Sequence, residues 1–317
     1  MINYTPNKLI LIQNNKILQN VLFKVGVQDL LYETNAEYDK SSKSVPHYKA
    51  LINLENNEVL SIVTENYHLV TNAEALNMGK AAIRKLFDAD VISDSDFVPF
   101  RVWHNKKKTA CSIDLIYQSV RFDVFKQDTW LPFVRVINSY NKQYKLKFEI
   151  GFVRSICTNS IIFEGKTIKY DFAHSKGAIP AEIQVSPFAY QDQKASFITH
   201  LENFAKYNVK RDNVISHVYK ALNIEKKDFE KKPEIKADFD ELIINIWSFY
   251  SKDDNNTAYS LFNVLTDLSS NHPLGKLTGL LKFDSNIYTS TLISKWVKVY
   301  SDALKQKDYN EVLYLSA

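Results

Sequence analysis

At 317 residues, 45% of them apolar, the chain is long enough to bury one or two sizeable hydrophobic cores, which excludes an intrinsically disordered protein. No run of about 18 apolar residues occurs, and MINYTPNKLILIQNNKILQN lacks a charged stretch leading into an unbroken apolar one, so neither a membrane span nor a secretory leader is expected and the chain reads as cytoplasmic. Two cysteines, Cys111 and Cys157, without a CxxC pair give no zinc ribbon or thioredoxin-like motif. Both read as small buried hydrophobes in a reducing compartment, and no metal or other cofactor is expected. The formal charge of +4 is unevenly spread: Val27–Val98 holds 6 Lys/Arg against 12 Asp/Glu, whereas Pro99–Lys176 holds 14 against 6, a net of +8. Such a basic block suits phosphate, although a solvated face balanced by its acidic neighbour gives the same counts.

In chain order, Lys8–Ile12 and Lys16–Val25 are apolar runs either side of Asn14-Asn15, read as a hairpin or arm covering residues 1–26. Gln28–Tyr32 reads as a helical turn and Glu33–Ser44 as a loop. Tyr48–Leu54 and Val59–Val63 read as strands joined by Glu55-Asn56-Asn57-Glu58. Thr71, with Glu74 three residues on, forms a capping box for a helix carrying Ala75, Leu76, Ala82, Ile83 and Leu86. The aspartates at 88, 90, 94 and 96 lack the glycine and terminal Glu of a calcium loop and read as a solvated loop.

Phe97–Trp103, Thr109–Ile116 and Tyr117–Phe125 read as strands, with His104–Lys108 as a basic turn. Lys106, Lys107 and Lys108 in that turn lie within reach of Arg101, Trp103 and Arg121. Leu146, Phe148, Ile150 and Phe152 alternate with Lys145, Lys147 and Glu149, so one face is apolar and the other mostly cationic. Asn138-Ser139-Tyr140-Asn141 supplies the preceding turn. If Arg135, Lys145 and Lys147 share a surface with Tyr140, cations lie beside a stacking ring, which a groove for a single strand requires. Tyr144 falls by parity on the apolar face. The alternative is an ordinary solvated sheet face.

The ordered series of Tyr48–Ile52, Glu58–Val63, Tyr67, Asn72–Ala75, Leu131-Pro132, Asn138–Tyr140, Arg154–Asn159, His174 and Lys176-Gly177, ending in Asn256–Asp267, resembles the phage/plasmid-like family called domain of unknown function 932. The resemblance spans Val27 to Asn271. It departs from the family pattern at Asn141, Lys142, Ser160 and Tyr259, where Asp, Gly, Gly and Trp are usual; losing the glycine at 142 makes a positive φ costlier. The resemblance implies residence on mobile elements and no established reaction.

Arg154, Cys157, Asn159 and His174 form the inventory of a thiol nucleophile, yet no glycine-rich oxyanion turn accompanies them. Arg154 and His174 are equally suited to contacting an anion, with Lys176 nearby. His174–Pro187 reads as the connection to a helical half (a linker at 177–187, then 188–317). Ser186-Pro187 starts a helix carrying Phe188, Phe197, Leu201 and Phe204. Further helices are expected at Asn213–Leu222, Pro233–Tyr250, Thr257–Ser270 and Asn286–Lys305, the last with a buried stripe of Ile287, Leu292, Trp296, Val299 and Tyr300.

No GxxxxGK[ST], GxGxxG, HExxH or GxSxG motif occurs, so nucleotide hydrolysis, dinucleotide redox chemistry and zinc proteolysis have no support. The expected fold is α+β: an antiparallel β-rich half with a packed helix (27–176), then the helical half. The expected function is a non-enzymatic nucleic-acid binder of a mobile element, gripping single-stranded DNA through Arg101, Lys106, Lys107, Lys108, Arg121, Arg135, Tyr140, Lys145, Lys147, Arg154, His174 and Lys176. The alternative is an interaction module that antagonises a host defence protein or assembles as a homo-oligomer.

Overall fold

A computed structural model describes residues 16–33, 42–87, 93–126, 128–155, 159–162, 168–254, 256–284 and 286–305. Antiparallel sheets fill the amino-terminal half and helices the carboxyl-terminal half, so the fold is α+β. No described helix is long and apolar enough to cross a membrane.

A short helix α1 (Lys16–Gln19) precedes a three-stranded sheet of β1 (Val25–Glu33), β2 (Ser42–Asn53) and β3 (Val59–Thr64), in that order. The expected β2–β3 hairpin is present. Its turn is closed by Asn53 and Asn56, whose side-chain oxygens accept the Glu55 and Glu58 amides at 2.9 and 3.0 Å. Two expectations give way. Gln28–Tyr32 is strand, not helix, because it pairs with β2 in the register Gln28↔Ala50, Asp29↔Lys49 and Tyr32↔Lys43. The stretch from Lys16 opens as a helical turn, not a strand, and sends Leu18 and Val21 into the main core. Lys8–Ile12 lies outside the described residues.

Helix α2 (Asn72–Leu86) begins at the expected capping box, with the Thr71 hydroxyl accepting the Glu74 amide at 3.2 Å and the Glu74 carboxylate accepting the Thr71 amide at 2.7 Å. Its buried face packs on a seven-stranded sheet: β4 (Phe97–His104), β5 (Ala110–Tyr117), β6 (Phe122–Phe125), β7 (Asp128–Ser139), β8 (Leu146–Arg154), β9 (Ser160–Ile161) and β10 (Lys169–Phe172). The strand order is β10-β8-β7-β5-β4, with β6 also on β7 and β9 also on β8. The stretch expected as one strand over Tyr117–Phe125 is interrupted between β5 and β6. Of the four aspartates after α2, Asp88 and Asp90 lie outside the described residues; Asp94–Asp96 form a 3-10 turn in which the Asp96 carboxylate accepts the Ser93 amide at 2.9 Å. The alternation in β8 holds: Leu146, Phe148, Ile150 and Phe152 are core, while Lys147 and Glu149 face β10, 3.8 Å from Asp171 and 3.6 Å from Lys169 respectively.

The helices are α3 (Pro187–Phe204), α4 (Val214–Ala221), α5 (Pro233–Asp254), α6 (Ala258–Asn271), α7 (Leu274–Thr278) and α8 (Asn286–Lys305). Ser186 caps α3 as expected, accepting the Ala189 amide at 3.3 Å, with Pro187 in the first turn. Phe188 is 81% exposed, since the buried face of α3 carries Tyr190, Phe197, Leu201 and Phe204. Val299 likewise points outward, and the inner stripe of α8 is Ile293, Trp296, Val297 and Tyr300. A single apolar cluster runs from Ile113, Trp130 and Phe152 through Phe197 and Phe262 to Trp296, crossing the expected 177–187 connection.

Candidate nucleic-acid interface

Strand register gathers the cations. Ala110 of β5 pairs with Ser139 of β7, so the β4–β5 tip (Asn105–Thr109) lies beside the β7–β8 turn (Tyr140–Lys145), and the Tyr140 amide donates to Thr109 O at 2.7 Å. The tip is closed by the Asn105 side chain, which accepts the Thr109 amide at 2.9 Å. Phe172 pairs with Leu146, which brings the segment after β10 to the same end, and the Lys176 amide there donates to Asn66 O at 3.1 Å. Lys106, Lys107, Lys142, Lys145 and Lys176 are exposed at this end and Lys108 is half-buried. Glu65 is an acidic neighbour, 3.5 Å from His47.

Within this end lies a crevice of about 330 Å³, walled by Tyr67, Lys142, Tyr144, Lys145 and His174. The Tyr67 hydroxyl donates to Ser139 O at 3.0 Å, and burial raises its pKa. The His174 ring stacks on it, with centroids 5.2 Å apart and planes 15° apart. Burial pulls the imidazole below its ordinary pKa, so it is neutral at pH 7. Lys142 has φ +60°, a left-handed conformation that is uncommon for a residue with a Cβ, and places its Nζ 5.8 Å from the Tyr67 ring centroid. Tyr144 meets Trp103 edge-on at 6.4 Å, and the Trp103 indole N–H donates to Asp284 O at 3.2 Å. Four rings thus stand among lysines, and both Tyr67 and Trp103 are fixed by hydrogen bonds.

No family model matches the chain, and neither does any curated protein or solved structure.

Tyr144 does not join the apolar face that parity assigns it, and Tyr140 does not stand beside the cations. Tyr140 is 1% exposed, packs on Phe23 and accepts the Asn72 amide at 3.0 Å through its hydroxyl. Tyr144 stands in the turn before β8, where alternation has not begun, and walls the crevice. Arg135 stands on the sheet face that carries Lys147 and Glu149, opposite Glu149 in the register, but is covered there instead of facing solvent with Lys145. It is buried, its Nε and Nη2 donating to both Asp114 oxygens at 2.7 and 2.8 Å and its Nη1 to Ser290 Oγ of α8 at 3.0 Å. Arg101 joins this group, 3.6 Å from Asp114 and donating to Ser160 Oγ at 2.9 Å. Burial lowers the Arg101 pKa to about 10, against the opposing pull of Asp114, so it stays charged at neutral pH. Lys147 faces Asp171 on the sheet edge, and Arg121 is exposed at the opposite end of the sheet from the crevice.

Arg154 is also internal, at the end of β8 remote from the crevice. Its Nε donates to Asp128 Oδ1 at 2.5 Å and its Nη1 to Asn263 Oδ1 at 3.4 Å. Asp128 Oδ2 accepts the Trp130 indole at 3.1 Å and the Tyr259 hydroxyl at 2.5 Å. Asn159 donates to the Tyr250 hydroxyl at 3.0 Å, which donates onward to Asp267 at 2.7 Å. Sequence reasoning gave Asp114, Asp128, Tyr250 and Asp267 no role. Arg154, Asn159, Tyr250, Tyr259, Asn263 and Asp267 meet here as a polar core joining sheet to helices.

The thiol-nucleophile inventory is divided by this geometry. Arg154 and Asn159 lie at one end of β8 and His174 at the other, eight residues away along β8, which is about 26 Å of extended strand. Cys157 lies outside the described residues. Cys111 is buried, and burial pushes its thiol up to about 12, so it is not a thiolate at neutral pH.

Proposed function

We propose that the protein binds single-stranded nucleic acid, DNA by preference, along the sheet end formed by Lys106, Lys107, Lys108, Lys142, Lys145 and Lys176. We further propose that it is an accessory protein of a mobile element, related to domain of unknown function 932. The observation that carries the reading is the row of rings Trp103, Tyr144, Tyr67 and His174 set among those lysines. Stacking on aromatic faces combined with backbone-tracking cations is how a strand is held without reading its sequence. Of the residues expected from the sequence, Lys106, Lys107, Lys108, Lys145, His174 and Lys176 are retained; Lys142, Trp103, Tyr144 and Tyr67 are added, and Arg101, Arg121, Arg135, Tyr140, Lys147 and Arg154 are left out.

Fluorescence anisotropy with a labelled oligonucleotide at several salt concentrations tests this. Binding that weakens as salt rises is expected. In Lys142→Glu/Lys145→Glu, the slope of log K against log salt should fall by about 1.4, at roughly 0.7 per single-strand phosphate contact. No binding at low salt, or binding indifferent to salt, sinks the proposal.

A second reading, an interaction surface for a protein or another copy of the chain, is favoured by the outer face of the small sheet. Tyr48, Leu54, Val59 and Ile62 are each about half exposed there. Light scattering on the protein and on Ile62→Lys separates the readings: a larger species that the substitution dissolves supports assembly.

A further inference from the structure

The crevice carries a more specific inference, which rests on the strand-binding reading above. We infer that it receives one unstacked nucleobase, laid against the Tyr67–His174 pair while Lys142 and Lys145 meet the flanking phosphates. Its volume, about 330 Å³, is at the small end of ligand pockets, which run from about 300 to 1,000 Å³. That suits a single base.

The walls are set before any ligand arrives. The Tyr67 amide donates to Thr64 O at 2.9 Å, the His68 amide to His174 O at 3.2 Å and the Lys176 amide to Asn66 O at 3.1 Å. Tyr67 and Ser175 form a β-bridge. The three chain segments around the crevice are therefore tied to one another by backbone hydrogen bonds and to β7 by the Tyr67 hydroxyl.

His174 points to the ligand's chemistry. Neither of its ring nitrogens makes a hydrogen bond of good geometry, the backbone of His68 being the polar group beside them, so the donor and acceptor of the ring are only weakly held. A neutral imidazole offers one donor and one acceptor. The edge of a nucleobase presents the complementary pair, reachable by rotation of the ring about its Cβ–Cγ bond. An inorganic anion would engage the lysines but leave the stacked rings and the neutral imidazole unused.

The test uses a deoxyribose-phosphate oligomer without bases, the same oligomer carrying one thymine, and one carrying 2-aminopurine. Adding the single base should tighten binding roughly tenfold, the scale of one stacked base. The 2-aminopurine should be quenched on binding. In His174→Ala the gain should shrink to less than about threefold while the salt dependence stays as in the parent. Should that variant fail to fold, the quenching in the parent protein decides. Equal affinity with and without the base, or unquenched 2-aminopurine, overturns the base pocket and leaves the strand reading standing. Failure of every oligomer to bind, including an ordinary single strand, overturns both.

Discussion

Arg154 and Arg135 each face a carboxylate in a region that water does not reach, and the cost of breaking such a pair comes from the charge left behind. Arg154→Ala strands Asp128 in the core, so urea denaturation should show a loss of about 3–5 kcal/mol. Lys142 behaves in the opposite way. At φ +60° a residue with a Cβ is strained, so Lys142→Gly should raise the free energy of unfolding in urea by up to about 1 kcal/mol while weakening strand binding. His217 is buried against Trp296 and Tyr300, and burial, helped by Lys220, lowers its pKa to about 4. The unfolded chain therefore binds the proton more tightly than the folded one. The stability contribution is full above about pH 6.5 and is lost as the pH falls to about 4, a change on the order of 3 kcal/mol. His217→Phe should flatten that part of the stability profile relative to the parent. Parity places Arg135 on the face opposite Val134 and Val136, and that much was legible in the sequence. What covers that face is not a local property: Ser290 arrives from 155 residues away, so exposure could not be read.

Elements closed by their own neighbours were legible, and elements closed from a distance were not. The Thr71–Glu74 box and the Ser186 cap use bonds spanning three residues, and both stand as the sequence predicts. Thr71→Ala should lower stability by about 1 kcal/mol, read from thermal unfolding. β1 owes its conformation to partners in β2 some 20 residues on, and a local reading of Gln28–Tyr32 as helix misses it. The approach of β9 to β8 is of the same kind. A Cβ on Gly151 would lie 2.4 Å from Ile161 O and 2.7 Å from a Phe133 ring carbon, so Gly151→Ala should destabilise by roughly 1–3 kcal/mol. Nothing in the local sequence separates that glycine from a merely tolerated one.

At the scale of the molecule, charge and stability reside at opposite ends of the large sheet. The crevice end holds cations exposed to solvent, and the far end holds the polar core that α5 and α6 complete. A fragment ending at Ser186 would keep the first and lose Tyr250, Tyr259, Asn263 and Asp267 from the second. Circular dichroism of residues 1–186 should accordingly show no cooperative thermal transition, and limited proteolysis should degrade the fragment throughout. The charge segregation was legible as a block of residues, but its concentration at one end of the sheet depends on β-strand register. The Asp128 cluster also bears on how the sequence can drift over generations. Beside Trp130, two residues on, its members lie 26 and 131 residues from Asp128, at Arg154 and Tyr259, and each answers to the same carboxylate. A lineage that exchanges Asp128 for a neutral residue has to exchange Arg154 with it, so diverged descendants of this chain should differ at the cluster as a set, with few intermediates carrying one change alone.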